Sequence, residues 1–449
     1  MQRRTKLNLF DFTMIVVSLV IGMGIFRTPV NVAKASPTPF VFFAAWLAGG
    51  FIAICGALTY AEIGSRYPVT GAYFRIFSYC YHPSIAFAVN CIILISNAAS
   101  CAGVALIGGE YITRVLFPAS ANTQTAEVVI AILSILIFYG VNLMGLKMSA
   151  RTQNVLTIIK ICLVLLLITP LFLAVHPVNT PDPTVIHGGA LEYLKGFGVG
   201  LVAVSFTYGG YQQTINFGAE VNNANKMIPR GIFTGISIII LLYLSINYAY
   251  YSVIGFDNLK NSKNIAAIMA SHVFGPAAGQ ILSILLFLSV LAYVNVLLMS
   301  NPRVMFAMSE DGVLPAVFKR KNEKTDVMII SLSVFALLAV LIVFWAKEFD
   351  EILSFSIFLD CFGMALSSAS IFILRKRTAN LDPSSIYSMK LYPLQPVIFI
   401  LAYTFVGISI AIDKPKTALV GLSVLACFIA IYFLSHKKGK TENQGIPGA

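Results

Sequence analysis

The sequence predicts an all-α polytopic membrane protein with twelve transmembrane helices, on three observations. Of its 449 residues, 58% are hydrophobic and 11% charged, where soluble chains carry about a quarter charged residues. The apolar residues fall in blocks of about 20, the length that crosses a hydrocarbon layer of roughly 30 Å. Two blocks carry a glycine interruption where a membrane helix should run unbroken: Val20-Ile21-Gly22-Met23-Gly24-Ile25-Phe26 and Phe206-Thr207-Tyr208-Gly209-Gly210-Tyr211.

In chain order the apolar blocks lie at about 10–33, 40–64, 84–114, 125–146, 154–175, 192–219, 229–254, 278–307, 327–346, 350–374, 395–412 and 415–434. Spans one to five and six to ten can be laid over each other, each set opening on its interrupted span. That reads as a 5+5 inverted repeat with helices 1 and 6 broken, followed by two further helices. The expected units are 1–175 for the first repeat, 192–375 for the second, 395–434 for the last two spans and 435–449 for a disordered cytoplasmic tail. The stretch 276–307 is long for one crossing and suggests a tilted or interfacial extension at its start. Asn179-Thr180-Pro181-Asp182-Pro183 reads as a turn-forming external loop.

A net charge of +12 raises the question of nucleic acid, but the distribution of the charge answers it. With the N-terminus cytoplasmic, roughly two thirds of the 31 Lys and Arg fall on the cytoplasmic side, which is the positive-inside pattern and places both termini there. The basic run Lys319, Arg320, Lys321 and Lys324 reads as a topology marker, with anionic lipid as the other reading. Arg3, Arg4 and Lys6 precede an apolar run too long for a signal peptide, so the first span is expected to be retained. A cell-membrane location follows. The seven cysteines and five histidines show no paired or metal-ligand spacing, so no metal and no cofactor is expected. No HExxH, Ser/His/Asp grouping or phosphate-cradling loop is visible, which argues against an enzyme.

A helix interrupted inside a membrane exposes two new ends. One offers free N–H groups with partial positive charge, the other carbonyls with partial negative charge. At the first interruption the N–H groups of Met23, Gly24 and Ile25 suit a carboxylate. Carbonyls near Val20, Ile21 and Phe206 to Tyr208 suit an ammonium. Opposite charges so placed fit the backbone of an α-amino acid. The competing reading is that these are packing glycines that let helices approach closely.

Several segments then resemble one family. Gly22-Met23-Gly24-Ile25-Phe26 is similar to the GSGIF-type signature of the amino acid–polyamine–organocation superfamily. The stretches Gly56 to Pro68, Glu220 to Arg230, and Pro302 through Met308 to Pro315 resemble its motifs of the second span, after the sixth span and after the eighth. The nearest branch is that of the L-type amino acid transporters and their bacterial relatives. The resemblance implies alternating access and a substrate site at Ile21, Gly22, Met23 and Gly24, with Phe206, Gly209, Tyr211 and Gln212 opposite. It implies Phe206 as the aromatic gate that closes over substrate. Lys160, deep in the fifth span, matches a lysine that in this branch stands in for a sodium ion, which implies sodium-independent transport. A lysine at that depth costs roughly 2.5–3.5 kcal/mol and needs a partner. Three departures are visible: Met23 where many relatives have Ser, Tyr211 for the commoner Trp, and no cysteine in the 117–127 loop for joining a heavy subunit. No covalent partner is therefore expected.

Asp360, in the tenth span, is the other costly charge, suited to a proton, to a substrate's extra cation, or to a hydrogen bond with a neighbouring helix. Glu110 and Arg27 either pair or reach water, while Glu62 and Glu220 suit contacts with Arg66 and Arg230. The expectation is a secondary transporter of neutral amino acids working by exchange or proton symport. Its alternative is an antiporter of amines or cationic amino acids on the same fold. The other partners expected are the small-molecule substrate and the bilayer.

Overall fold

The computed structural model describes residues 6–22, 24–117, 123–173, 189–262, 265–344 and 349–435. Met23, residues 118–122 of the 117–127 loop, the predicted loop Asn179-Thr180-Pro181-Asp182-Pro183 and all but the first residue of the predicted 435–449 tail lie outside them. The described residues form helices α1 (Leu9–Val20), α2 (Gly24–Ala35), α3 (Pro39–Arg66), α4 (Ala72–Cys80), α5 (Pro83–Leu116), α6 (Gln124–Leu143), α7 (Leu146–Ile168) and α8 (Ala190–Thr207). They continue with α9 (Ala224–Ile254), α10 (Phe256–Asn261), α11 (Ile265–Phe274), α12 (Pro276–Glu310), α13 (Ile329–Phe344), α14 (Phe349–Arg377), α15 (Leu394–Asp413) and α16 (Pro415–Ser435).

Local chemistry fixes several of the ends. Asn8 caps α1 through a reciprocal box, its Oδ1 accepting from Asp11 N at 2.9 Å and its own N–H reaching Asp11 Oδ2 at 3.2 Å. Thr38 and His82 cap α3 and α5, each followed by a proline at the first helical position, where the missing N–H costs nothing.

Among the described residues, ten helical stretches are long and apolar enough to cross a bilayer, while Ile329–Phe344 and Ala418–Leu434 are apolar but shorter. The long stretch that begins at 276 is one continuous helix of 35 residues with Pro302 inside it. The short helices α4, α10 and α11 were not anticipated, because a stretch of 6 to 10 residues carries too little periodicity to stand out. Large apolar side chains such as Phe40, Leu47, Leu194, Leu241 and Ile412 are more than half exposed around the bundle. Such a surface suits lipid and not water, and the protein is a multi-pass membrane protein.

The most extensive helix pairings are α5 with α12 and α3 with α9. Inside this frame α1 packs on α9, α7 and α12, and α2 packs on α8. Helices α15 and α16 lie at the periphery, against α3 and α14 and against α5 and α14 respectively. The frame thus holds the two glycine-interrupted segments at the centre of the molecule.

Candidate functional site

The first interrupted segment leaves helical geometry after Val20 and resumes it at Gly24. Ile21 N still donates to Val17 O at 2.9 Å, and Gly22 N turns back to Val20 O at 2.8 Å. The second leaves it after Thr207 and continues as two 3-10 turns, Tyr211–Asn216 and Gly218–Glu220. The two segments face each other. Gly210 has φ +112°, and a Cβ there would come within 2.2 Å of the Leu19 carbonyl oxygen, so only glycine fits. A Cβ on Gly24 would approach Thr207 Cγ2 to 2.9 Å, and Thr207 Oγ1 donates to Thr28 Oγ1 at 2.8 Å. The start of α2 therefore abuts the end of α8.

The helix-end carbonyls are largely claimed by side chains. Lys160, fully buried on α7, donates from Nζ to Ile21 O at 2.5 Å, to Ser18 Oγ at 3.3 Å and to Ser18 O at 3.5 Å. Ser18 Oγ in turn donates to Ala292 O of α12 at 3.3 Å. The ammonium thus sits where the partial negative end of α1 meets α7 and α12. Tyr243 OH lies 3.1 Å from Val20 O and 3.5 Å from Thr207 O, touching carbonyls of both segments. Tyr403 OH donates to Ser205 O at 3.3 Å. At the start of α2 the first-turn N–H groups, from Gly24 onward, have no acceptor within the helix.

Beside these ends lies a cavity of about 770 Å³. Of the residues singled out in the sequence, Gly22, Gly24, Phe206, Gly209, Gln212 and Asp360 line it. Ile21, Ile25, Tyr208 and Tyr211 are buried away from it, while Met23 is outside the described residues. The Tyr211 ring turns into α3, edge-on to Tyr60 at 5.9 Å, with its hydroxyl against Gly56. Gln212 accepts from Gly210 N at 2.8 Å through Oε1, so it also holds the turn that it lines. The Phe206 ring stands on the wall, 45% exposed. Asp360 accepts from Ser96 Oγ at 3.3 Å.

The cavity extends to Arg27, Glu110 and Glu127, at the end of the bundle where α5 leads into α6. There Arg27 pairs with Glu110 at 3.5 Å, and Arg114 pairs with the same carboxylate at 2.5 Å. At the opposite end Glu62 is fully buried and pairs with Arg66, as the sequence suggested, and with Arg375 as well, each at 2.7 Å. Glu220 pairs with Arg303 of α12 at 2.6 Å, and not with Arg230, which is exposed at the start of α9. Tyr243, Tyr403 and Tyr293, whose ring lies beside Gly22, had no signal in the sequence. Buried tyrosines are common in apolar helices, and only packing brings these three to the interruptions.

Residues 7–435 match the family model described as amino acid permease. The serine/threonine exchanger SteT of Bacillus subtilis is 27% identical over 423 residues, covering 93% of each chain. The human large neutral amino acids transporter small subunit 2 is 25% identical, over 96% of this chain and 80% of its own. The mouse Asc-type amino acid transporter 1 is 23% identical, over 96% and 81%. These relatives are transporters and not enzymes, and the match spans nearly the whole chain, so this protein belongs to the amino acid permease family.

Proposed function

We propose that this protein is a sodium-independent secondary transporter of neutral amino acids, working by alternating access through exchange or proton symport. The observation that carries the reading is the meeting of the two interrupted segments beside the cavity. The N–H end of α2 and the carbonyl ends of α1 and α8 stand together there, a charge pattern complementary to a zwitterion. In this reading the interruptions are the breaks of transmembrane helices 1 and 6, in a twelve-helix fold of 1–175, 192–375 and 395–434. The pairing of α5 with α12 and of α3 with α9 supports the repeat, since each joins third to eighth or second to seventh span. Both termini are then cytoplasmic at the cell membrane. The substrate backbone is held by Ile21, Gly22, Met23, Gly24 and Ile25, with Phe206, Tyr208, Gly209, Tyr211 and Gln212 opposite, where Tyr208 and Tyr211 contribute backbone groups because their rings pack away from the cavity.

Phe206 closes over substrate as the gate, and its exposed position corresponds to the gate standing open. Lys160 replaces a sodium ion, because its ammonium already satisfies the Ile21 carbonyl and the Ser18 oxygens. No covalent heavy subunit is proposed, since 117–127 holds no cysteine. The test is uptake of a panel of radiolabelled amino acids into proteoliposomes, with and without sodium and pH gradients. Uptake of neutral amino acids unchanged by sodium is expected; a sodium requirement would overturn the reading.

One observation favours a second reading. Asp360 lines the cavity with no ion-pair partner among the described residues. A free carboxylate there suits the second charge of an amine or cationic amino acid. An Asp360→Asn variant that loses only cationic substrates would establish it.

A further inference from the structure

Three buried side-chain amides form a one-way relay that ends at the cavity wall. Asn301 Nδ2 donates to Leu297 O at 2.9 Å, one turn back on α12. A backbone carbonyl can only accept, so Asn301 turns its Oδ1 the other way, where it accepts from Asn97 Nδ2 at 2.7 Å. Asn97 is left with Oδ1 as its free end, and this accepts from Gln213 Nε2 at 3.1 Å. Turning any one of the three over would set oxygen against oxygen or NH2 against NH2. Each amide therefore dictates the orientation of the next, and Gln213 has to carry its Oε1 away from Asn97. That oxygen is buried and has no hydrogen-bond partner among the described residues. Gln213 and Asn97 border the 770 Å³ cavity, whereas Asn301 does not. Gln213 also stands just beyond the second interruption, its N–H donating to Gly210 O at 3.1 Å. The adjacent Gln212 is built the opposite way, its Oε1 already taken by Gly210 N.

We propose that Gln213 is a specificity residue, and that the substrates are those neutral amino acids whose side chain brings an O–H or N–H donor to its Oε1. A β-hydroxyl or a carboxamide supplies such a donor; an aliphatic side chain does not. A buried acceptor left unpaired costs more than a hydrogen bond ordinarily gains. A methyl group placed against it displaces water without replacing the bond that the water made. A site with an oriented acceptor therefore rejects the isostere that lacks the donor, whereas a plain apolar pocket barely distinguishes the two. The relay is what makes the acceptor reliable. A glutamine free to turn would offer its NH2 as readily as its oxygen, and discrimination would be lost. Asn301 thus acts as a positioning residue, setting selectivity from α12 through Asn97 without bordering the cavity.

This assignment rests on the reading of the cavity as an amino acid site, and it is tested by binding. Threonine and valine share one shape and differ by a hydroxyl in place of a methyl. Each is titrated against the purified protein, with the shift of the thermal midpoint giving an apparent Kd. Threonine is expected to bind at least about tenfold more tightly than valine. Gln213→Met keeps the length of the side chain and removes the amide, and should bring the ratio of the two within about threefold of one. Asn301→Leu should lower the ratio as well, though less, because it releases Gln213 from outside the cavity. Equal binding of threonine and valine by the unaltered protein would overturn the proposal before any variant is made. So would a ratio that survives in Gln213→Met or, should that variant not fold, in Asn301→Leu. Lysine that binds more tightly than threonine and is indifferent to Gln213→Met would place the side-chain contact at Asp360, which also lines the cavity, and would overturn it too. Binding of both amino acids alike removes only the role of Gln213, whereas binding of none removes the amino acid site itself.

Discussion

The two interrupted segments solve the same problem with different chemistry. At the first, α-helix stands on both sides of the gap, and a buried ammonium, Lys160, takes the Ile21 carbonyl and the Ser18 oxygens. At the second, α8 gives way to 3-10 turns, and neutral hydroxyls reach its carbonyls: Tyr403 OH donates to Ser205 O, and Tyr243 OH, which is nearer Val20 O of the first segment at 3.1 Å, lies 3.5 Å from Thr207 O. A charge holds its position through strong, long-range attraction, while hydroxyls yield to water at little cost. On the proposed transport reading, the first segment is the fixed side of the site and the second the side that moves. The gate proposed at Phe206 belongs to that second, softer side.

Removing the charge should break this contrast most severely. Lys160→Ala leaves the Ile21 carbonyl without its cation, and a charge-assisted hydrogen bond contributes about 1.5–3 kcal/mol. Initial uptake rates should fall by roughly 10–100-fold, and added sodium should restore part of the loss by occupying the vacated position. Next comes Gly210→Ala, whose Cβ would meet Leu19 O at 2.2 Å from a backbone at φ +112°. Its thermal midpoint in detergent should drop by about 5 °C or more. Gly22→Ala provides the control, since a Cβ there meets only the Tyr293 ring at an ordinary 3.7 Å. Its midpoint should move by less than about 2 °C. Phe206→Ala, on the moving side, should raise KM several-fold while protein yield and melting stay unchanged, because the ring is 45% exposed and packs little. The smallest effect should come from Asp360→Asn, with neutral amino acid uptake retained within about threefold. A larger loss would shift weight from selectivity toward a coupling role for that carboxyl.

Much of this frame was legible in the sequence because hydrophobic length is a strong signal. Apolar blocks of about 20 residues lead directly to membrane helices, and each predicted span overlaps a described helix. The cost of a lysine at depth also pointed correctly to a partner for Lys160, found at Ile21 O. What the sequence concealed is orientation. Tyr208 and Gly209 are adjacent, yet one is sealed between Trp46 and Tyr243 while the other lines the cavity. A 3-10 turn following an α-helix resets which side chains share a face, so 3.6-residue spacing stops being a guide after Thr207. Nearness along the chain misled for Glu220 too. Arg230 is ten residues away but exposed at the start of α9, whereas Arg303 arrives from α12 through the packing of α5, α7 and α12. Tyr243 and Tyr403 act on carbonyls far from them in sequence, and no local pattern encodes such a contact.

The measurement that bears most directly on the opposed helix ends is a comparison of three ligands in one uptake-inhibition experiment. They are a transported neutral amino acid, its decarboxylated amine and its deaminated hydroxy acid. If N–H groups of α2 hold the carboxylate while carbonyls of the interrupted segments hold the ammonium, only the intact zwitterion should compete. Each analogue should then weaken by roughly 10–100-fold, the contribution of one charge-assisted contact. Equal competition by the amine or the hydroxy acid would show that one of the two helix ends contributes nothing to binding, contradicting the site as assigned.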